Sequence, residues 1–284
     1  MKILFLSSET QSPSTEILTK ALKRKGFSIR IEDPRNLNFQ LSPAQVFDSK
    51  MKPVKCDIVL PRLGLYTLEQ GLHVMSAFEA MGKRTVNSAE SIRLATNKIL
   101  SASLFAQAHL PLPKTYFFHK TSSLYEKVKF QFPLVLKLPV GSQGKGVAII
   151  RNQIELNQWS DLIRTAENEF LIQEHIQGTD IRALVFKNQV IASISRRPKK
   201  NEFRANLSLG GTGKKINLSE KETTLALEAA RRLGLTFCGI DFIRTKHMTY
   251  LLEANAFPGL SGISQITKQP LAQIITDGLF AELM

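Results

Sequence analysis

The stretch that most constrains this chain lies close to its C-terminus. From Cys238 to Leu260 it reads C-G-I-D-F-I-R-T-K-H-M-T-Y-L-L-E-A-N-A-F-P-G-L. Two short apolar runs, Gly239 to Ile243 and Met248 to Leu252, flank a polar Arg-Thr-Lys-His segment, which is the pattern of a β-hairpin. Side chains two apart on a strand point the same way, so Glu253 and Asn255 share a face. Closing the hairpin brings Asp241 opposite them. Two carboxylates and one amide oxygen then converge, a hard-oxygen set of the kind that holds magnesium beside substrate phosphates. The spacing alone also fits three unconnected polar residues at strand ends, and only the rest of the chain separates the two readings.

The N-terminal part alternates. Lys2 to Leu6 reads as a buried strand, Thr15 to Lys25 as a helix ended by Gly26, Phe27 to Ile31 and Cys56 to Leu60 as strands, and Leu68 to Met81 as a second helix stopped by Gly82. Such alternation predicts a parallel α/β layer domain. The loop after the first strand has no G-x-G-x-x-G, so a Rossmann dinucleotide fingerprint is absent. Arg62 follows the third strand directly, where ligand-facing side chains of α/β sheets collect; a plain surface arginine fits there equally. Ser88 to Ala108 reads as one long helix carrying Lys98, and Pro111 and Pro113 then mark a boundary.

Beyond the boundary the pattern changes. Phe132 to Leu138 is a strand with one charged residue, Lys137, inside an apolar run. A lysine there is costly without an anionic partner, unless the strand is at an edge and the side chain reaches water. G-S-Q-G-K-G follows, from Gly141 through Gly144 to Gly146, and then a strand from Val147 to Ile150. Glycines let backbone N–H groups approach an anion closely. The loop is not a Walker loop, since no G-K-[ST] is present and no helix opens after it. Phe170 to Ile176 is a strand, Ile181 to Phe186 and Val190 to Ile194 form a hairpin around K-N-Q, and Arg204 and Asn206 lie on one face if their segment is extended. Lysine, glycine loop, arginines and oxygen ligands together suit phosphoryl chemistry on a nucleotide. No Ser-His-Asp or Cys-His nucleophile arrangement stands out, and the five histidines lack metal-ligand spacing.

These motifs resemble the ATP-grasp ligases, and within them the RimK-like branch that adds glutamate through an amide bond. The resemblance rests on I-V-L-P-R at Arg62, V-N-S at Asn87, N-K at Lys98, P-L-V-L-K with G-S-Q-G-K-G, I-Q-E-H-I, D-I-R at Asp180, S-R-R, F-R-A-N-L-S-L-G-G, G-I-D-F and L-E-A-N-A-F-P-G, and it covers nearly the whole chain. It implies an α/β (α+β ATP-grasp) fold class. An N-terminal parallel α/β domain over 1–90 would be followed by a central lid subdomain over 91–176 and a C-terminal, metal-carrying subdomain over 177–284. Carried over by position, Lys98 and Lys137 would contact phosphates, and Gln173, Glu174, His175 and Ile176 would line the base and ribose. Asp180 would bind ribose, Arg204 and Asn206 would reach phosphates and metals, and Gly141, Gly144 and Gly146 would close over the γ-phosphate. Asp241, Glu253 and Asn255 would hold two magnesium ions, with manganese as an alternative.

The chemistry that the resemblance implies forms an acylphosphate from an acceptor carboxylate and ATP, which an amine then attacks. Arg182 and Arg204 would be the catalytic residues that neutralise developing charge, and Arg62, Arg196 and Arg197 would bind substrate carboxylates. Glutamate would be the amino acid. The acceptor would be acidic: a ribosomal or carrier protein, or a small molecule. A homo-oligomer is also implied. The chain departs from close relatives at Ser208-Leu209, where they carry a basic pair, at Phe257 and at His175.

Charge fits this reading and leaves others open. The net charge of +14 calls for an anionic partner, whether nucleotide, acidic substrate, nucleic acid or membrane surface. A glutathione- or dipeptide-type small-molecule ligase, and a non-catalytic nucleic-acid or ribosome-binding protein, are the alternatives. With 43% hydrophobic residues and no low-complexity tract, the chain reads as globular. Cys56 and Cys238 stand alone in apolar contexts and read as reduced core residues. No apolar run approaches a membrane span, and the start reads as a strand and not a signal peptide. A cytoplasmic protein without membrane contact is expected.

Overall fold

The structure is a computed structural model that describes residues 1–8, 12–119, 129, 131–141, 146–165, 169–200, 202 and 204–281. Strand β1 (Lys2–Leu6) is apolar and buried from Ile3 onward. Helix α1 (Pro13–Arg24) follows, its first turn set by Ser12, whose hydroxyl accepts the Thr15 N–H, and by a proline at the start. Then come β2 (Ser28–Glu32), a hairpin of β3 (Asn38–Leu41) and β4 (Ala44–Phe47), β5 (Ile58–Pro61), α2 (Leu68–Ala80) and β6 (Arg84–Thr85). The sheet runs β2-β1-β5-β6, and every pair is parallel, as the alternation predicts. The hairpin was not anticipated. β3 is exposed along its whole length, so it leaves no alternation of buried and exposed residues to read.

The long helix expected from Ser88 to Ala108 is two helices, α3 (Ala89–Thr96) and α4 (Lys98–Gln107). The break is at Asn97, whose backbone is extended at φ −98 and ψ 109. Its Oδ1 accepts from the N–H groups of Ile99 and Leu100 at 2.9 and 3.2 Å. A short amide that satisfies the first free N–H groups starts a helix instead of continuing one. The restart places Lys98 in a first turn, and its backbone N–H donates to Pro139 O at 2.9 Å.

A second sheet contains β7 (Thr115–Phe118), β8 (Leu134–Lys137), β9 (Val147–Ile150) and β10 (Phe170–Glu174), with α5 (Gln153–Thr165) between the last two. Its order is β7-β10-β8-β9, antiparallel throughout. Leu156 and Ile163 of α5 pack on Phe118, Leu134, Ile150 and Phe170. The third sheet contains β11 (Thr179–Phe186), β12 (Gln189–Arg197), β13 (Thr212–Lys215), β14 (Phe237–Arg244) and β15 (Thr249–Asn255), in the order β13-β12-β11-β14-β15. Helix α6 (Glu220–Arg232) precedes β14, and α7 (Ser261–Thr267) and α8 (Leu271–Ala281) close the chain. Neither β13 nor α7 was read from the sequence, since each is short and glycine-containing.

One core joins the first sheet to the third. Leu4, Val59, Val74 and Phe78 share it with Ile181, Ala183, Ile240 and Phe242. Asn87 reinforces the joint: buried, it donates from Nδ2 to Phe237 O at 2.7 Å and accepts the Phe237 N–H at 2.8 Å. A side-chain amide thus pairs like a strand neighbour at the start of β14.

Glu222 performs a similar service at the other end of the hairpin. It forms a capping box with Ser219 and accepts from Arg244 Nε and Nη2, both at 2.6 Å, and from Thr249 Oγ1 at 3.1 Å. Burial alone raises its pKa, but the bonds from Arg244, Ser219 and Thr249 outweigh that and hold it at about 2, against an ordinary 4.5. A depressed carboxyl stabilises the fold fully above its unfolded pKa and loses the contribution as pH falls through the folded one. Glu222→Gln is expected to lower stability at pH 7 by about 1–3 kcal/mol. Urea denaturation of both proteins across pH should show the gap closing as pH drops from 4.5 towards 2.

Candidate active site

The hairpin proposed from sequence forms, but with an offset that decides its chemistry. Near the turn, Arg244 faces Thr249 and Phe242 faces Leu251. Between Phe242 and Asp241 the register shifts, so Asp241 faces Glu253 and Gly239 faces Asn255. Without this bulge Asp241 would oppose Leu252. An extra residue on one strand re-aims the side chains beyond it, which is how bulges commonly serve functional sites. Here it sets two carboxylates directly across from each other.

Both carboxylates line a cleft between the second and third sheets, about 930 Å³ measured to its open mouth, together with Lys98, Lys137, Gly141, Gln173, Glu174, His175, Ile176, Asp180, Arg204 and Asn206. The backbone after β10 crosses from one sheet to the other at His175–Gly178, so that linker forms one wall. Lys137 Nζ donates to Gln173 Oε1 at 2.7 Å, and Gln173 Nε2 donates to Thr115 Oγ1 at 2.8 Å. The lysine costly in an apolar strand therefore has a neutral partner that is itself held by a third strand. Burial pushes the Lys137 pKa down, opposed by the negative charge of Glu253. Lys98 Nζ reaches Gly141 O at 3.4 Å, so the start of α4 and the start of the glycine loop meet.

The floor is a row of paired charges. Arg182 lies opposite Asp241 on the neighbouring strand. It donates Nε to Oδ1 at 2.7 Å and Nη2 to Oδ2 at 2.6 Å. Arg196, 5% exposed, places Nη2 at 3.0 Å from the same Oδ2 and donates Nε to Asp180 Oδ1 at 2.5 Å. Burial disfavours the Asp241 anion, but the two guanidinium groups prevail and keep its carboxyl below the ordinary range. Asp180 goes the other way: burial raises it, and Arg196 only partly offsets that.

Some expected residues sit differently. Arg182 was expected to face reacting groups; its fork is engaged by Asp241 and it lies outside the cleft lining. Arg196 was expected to meet substrate carboxylates; it lines the cleft and is buried between two aspartates. Asn255 also lies outside the lining, and its Oδ1 accepts the Phe257 N–H at 2.9 Å. Arg204 and Asn206 both reach the cleft, although not from a strand: Asn206 starts a short 3-10 turn over Leu207–Leu209, and Arg204 is held by the Glu202 carboxylate. Arg62 Nη1 donates to Pro258 O at 3.0 Å. Gly146 has a φ of +73°, and a Cβ there would stand 3.0 Å from Leu138, so only glycine suits the position. Gly144 lies outside the described residues. The sequence reading missed Thr115, whose hydroxyl anchors Gln173, and the Arg196–Asp180 pair. A bulge between Leu184 and Val185 shifts Arg196 opposite Asp180, where a regular hairpin would put Ser195.

The donors suit a hard divalent cation and a nucleotide. Asp241 and Glu253 offer carboxylate oxygens, and the Asn255 amide oxygen keeps a second lone pair beyond its bond to Phe257. Among the described residues no three His, Cys, Asp or Glu side chains gather as a metal cluster, so the candidate set is these two carboxylates and the amide. His175 Nδ1 is buried without a hydrogen-bond partner among the described residues, on the cleft wall, where a ligand can satisfy it. Lys98, Lys137 and Arg204 bring positive charge to the same cleft.

The chain is similar to known proteins over nearly its whole length. Residues 1–92 match a family described as the RimK PreATP-grasp domain, and residues 95–279 one described as the RimK-like ATP-grasp domain. A protein of Serratia proteamaculans named "Probable alpha-L-glutamate ligase" is 35% identical over 280 residues, covering 96% of this chain and 93% of its own. One of the same name from Alkalilimnicola ehrlichii is 33% identical, covering 97% and 94%. Among solved structures, the ATP-grasp ligase PsnB, described in complex with a phosphomimetic variant of its minimal precursor, Mg and ADP, superposes with a TM-score of 0.76 at 18% identity, covering 100% of this chain and 98% of its own. At that identity the likeness shows the fold.

The Thr115–Gln173–Lys137 chain gives a direct test of how the cleft is held. Gln173→Leu leaves the half-buried ammonium of Lys137 without its amide partner, which is expected to cost about 1–3 kcal/mol in chemical denaturation.

Proposed function

The chain belongs to the RimK-like ATP-grasp family, an ATP-dependent acid–amino-acid ligase family, and from this premise we propose that it activates a carboxylate of an acidic acceptor and joins it to the amine of an amino acid, glutamate first among candidates. The observation that carries the proposal is the convergence of Lys98, Lys137, Arg204 and the Asp241–Glu253 pair on one cleft between two sheets. ATP lies between the 91–176 and 177–284 segments. Gln173 to Ile176 run along the base and Asp180 meets the ribose. Lys98, Lys137 and Asn206 hold the phosphates, and Gly141 and Gly146 sit at the ends of the loop that covers them. Asp241, Glu253 and Asn255 hold magnesium, for which manganese can substitute; when bound it neutralises phosphate charge. The description of PsnB with Mg and ADP supports this choice of ligands.

The chemistry needs no protein nucleophile. The acceptor carboxylate attacks the γ-phosphate, ADP leaves, and an acylphosphate forms. The amine attacks the acyl carbon, and phosphate departs from the tetrahedral intermediate. The residues bring two mutually repelling anions together and offset their charge in a water-poor cleft. Arg204 faces the cleft and suits that work. Arg182 contributes through Asp241, whose position it holds. Relatives named alpha-L-glutamate ligase favour glutamate, and the net charge of +14 favours an acidic acceptor.

Purified protein supplied with ATP, magnesium, glutamate and candidate acidic peptides should release ADP and phosphate only when amine and acceptor are both present. Asp241→Ala and Glu253→Ala should each lower turnover at least ~100-fold; unchanged turnover in either removes that residue from the site. Mass spectrometry of cell extracts with and without the active enzyme separates the acceptors. A ladder of added residues on one polypeptide marks a protein acceptor, and its absence with an elongated small molecule marks the glutathione-type alternative.

A further inference from the structure

The charged row under the cleft holds more arginine than one carboxylate needs. Asp241 is 3% exposed, and both of its oxygens are engaged: Oδ1 by Arg182 Nε, and Oδ2 by Arg182 Nη2 and Arg196 Nη2. The arrangement is built by the backbone. Register puts Arg182 opposite Asp241, and the bulge in the β11–β12 hairpin puts Arg196 opposite Asp180. Guanidinium groups stay charged at any working pH, so this grip does not relax by titration.

A divalent cation bound by Asp241 finds a lone pair left on Oδ1, which accepts one N–H, while Oδ2 accepts two. Arriving alone, it sets its charge beside two buried guanidinium groups that already balance the carboxylate. Arriving with a polyphosphate, it meets a different balance. Arg196 lines the cleft, and phosphate oxygens offer a guanidinium the same bidentate partners as a carboxylate. We propose that Arg182 and Arg196 act as a surrogate cation on Asp241, positioning residues that make the site refuse a free divalent ion and take one only together with nucleotide. The inference rests on the reading of Asp241 and Glu253 as cation ligands. It assigns to the arginine pair the order in which ligands load, and by linkage the cation and nucleotide then raise each other's affinity by the same factor.

Manganese binding followed by electron paramagnetic resonance tests this without turnover. Free Mn2+ gives a sharp signal that is lost on binding, so Mn2+ is titrated into the intact protein with and without saturating ADP. In the wild type, ADP is expected to tighten Mn2+ at least ~100-fold, within the span of the larger couplings between ligand sites. Nucleotide alone can contribute to that, so the deciding comparison is the variant. Arg182→Met is expected to bind Mn2+ without ADP at least tenfold tighter than the wild type, and to gain less from ADP. Arg182→Lys, which keeps the charge but not the fork, should fall between the two. Far-UV circular dichroism checks that each variant is folded. Equal nucleotide-free affinity in the wild type and folded variants overturns the proposal. So does a wild type that binds Mn2+ as tightly alone as with ADP, an outcome that needs no variant and leaves the metal assignment standing. Absence of Mn2+ binding even with ADP overturns the metal assignment itself.

Discussion

The rest of the structure depends on a two-pronged bond from Arg182 to Asp241 in the middle of a five-stranded sheet. Taking a carboxylate from water into such a place is costly, and removing its partner later is costlier still. Asp241 and Asp180 with Arg182 and Arg196 meet that cost as a set of two negative and two positive charges. The consequence is positional. Asp241 cannot swing to another rotamer without leaving two guanidinium groups unmatched, so it stays across from Glu253 at the floor of the cleft. A site that must hold multiply charged ligands is thus prepared by side chains that carry the balancing charge beforehand.

The walls of the cleft are anchored by equally specific contacts. Asn87 joins the first sheet to the start of β14 through two backbone hydrogen bonds, so the strand carrying Asp241 is fixed to the N-terminal core. Asn97 restarts a helix where one would have continued, and this delivers Lys98 to the glycine loop. Thr115 and Gln173 hold Lys137 across three strands of the second sheet. The His175–Gly178 linker carries the chain from the second sheet to the third and forms one wall of the cleft.

How far the sequence foretold this follows from where local pattern is strong. The parallel first sheet was legible because buried strands and capped helices alternate there with glycine stops. Lys137 stood out because a charge in an apolar strand has few bland explanations, and the 238–260 hairpin because its apolar runs flank a polar turn. What escaped was register. The bulge at Leu184/Val185 sets Arg196 across from Asp180, and the one at Asp241/Phe242 produces the Asp241–Glu253 pairing that the hairpin reading expected; nothing in the composition of those strands announces either bulge. Arg196, expected at substrate carboxylates, lies between Asp180 and Asp241 on the lining of the cleft. The break at Asn97 was readable in principle, since T-N-K-I-L carries an N-cap signal, but continuous helical periodicity on both sides outweighed it. β3 was invisible because none of its residues is buried.

Family membership places the chain among ATP-dependent ligases; the arginine-held Asp241 facing Glu253 is the feature by which this chain would perform that chemistry. The most direct measurement is an anomalous difference map from crystals grown with Mn2+ and ADP. A peak about 2.1 Å from carboxylate oxygens of both Asp241 and Glu253, with the ADP phosphates on its far side, is the predicted result. Bound ADP with the manganese elsewhere would contradict it.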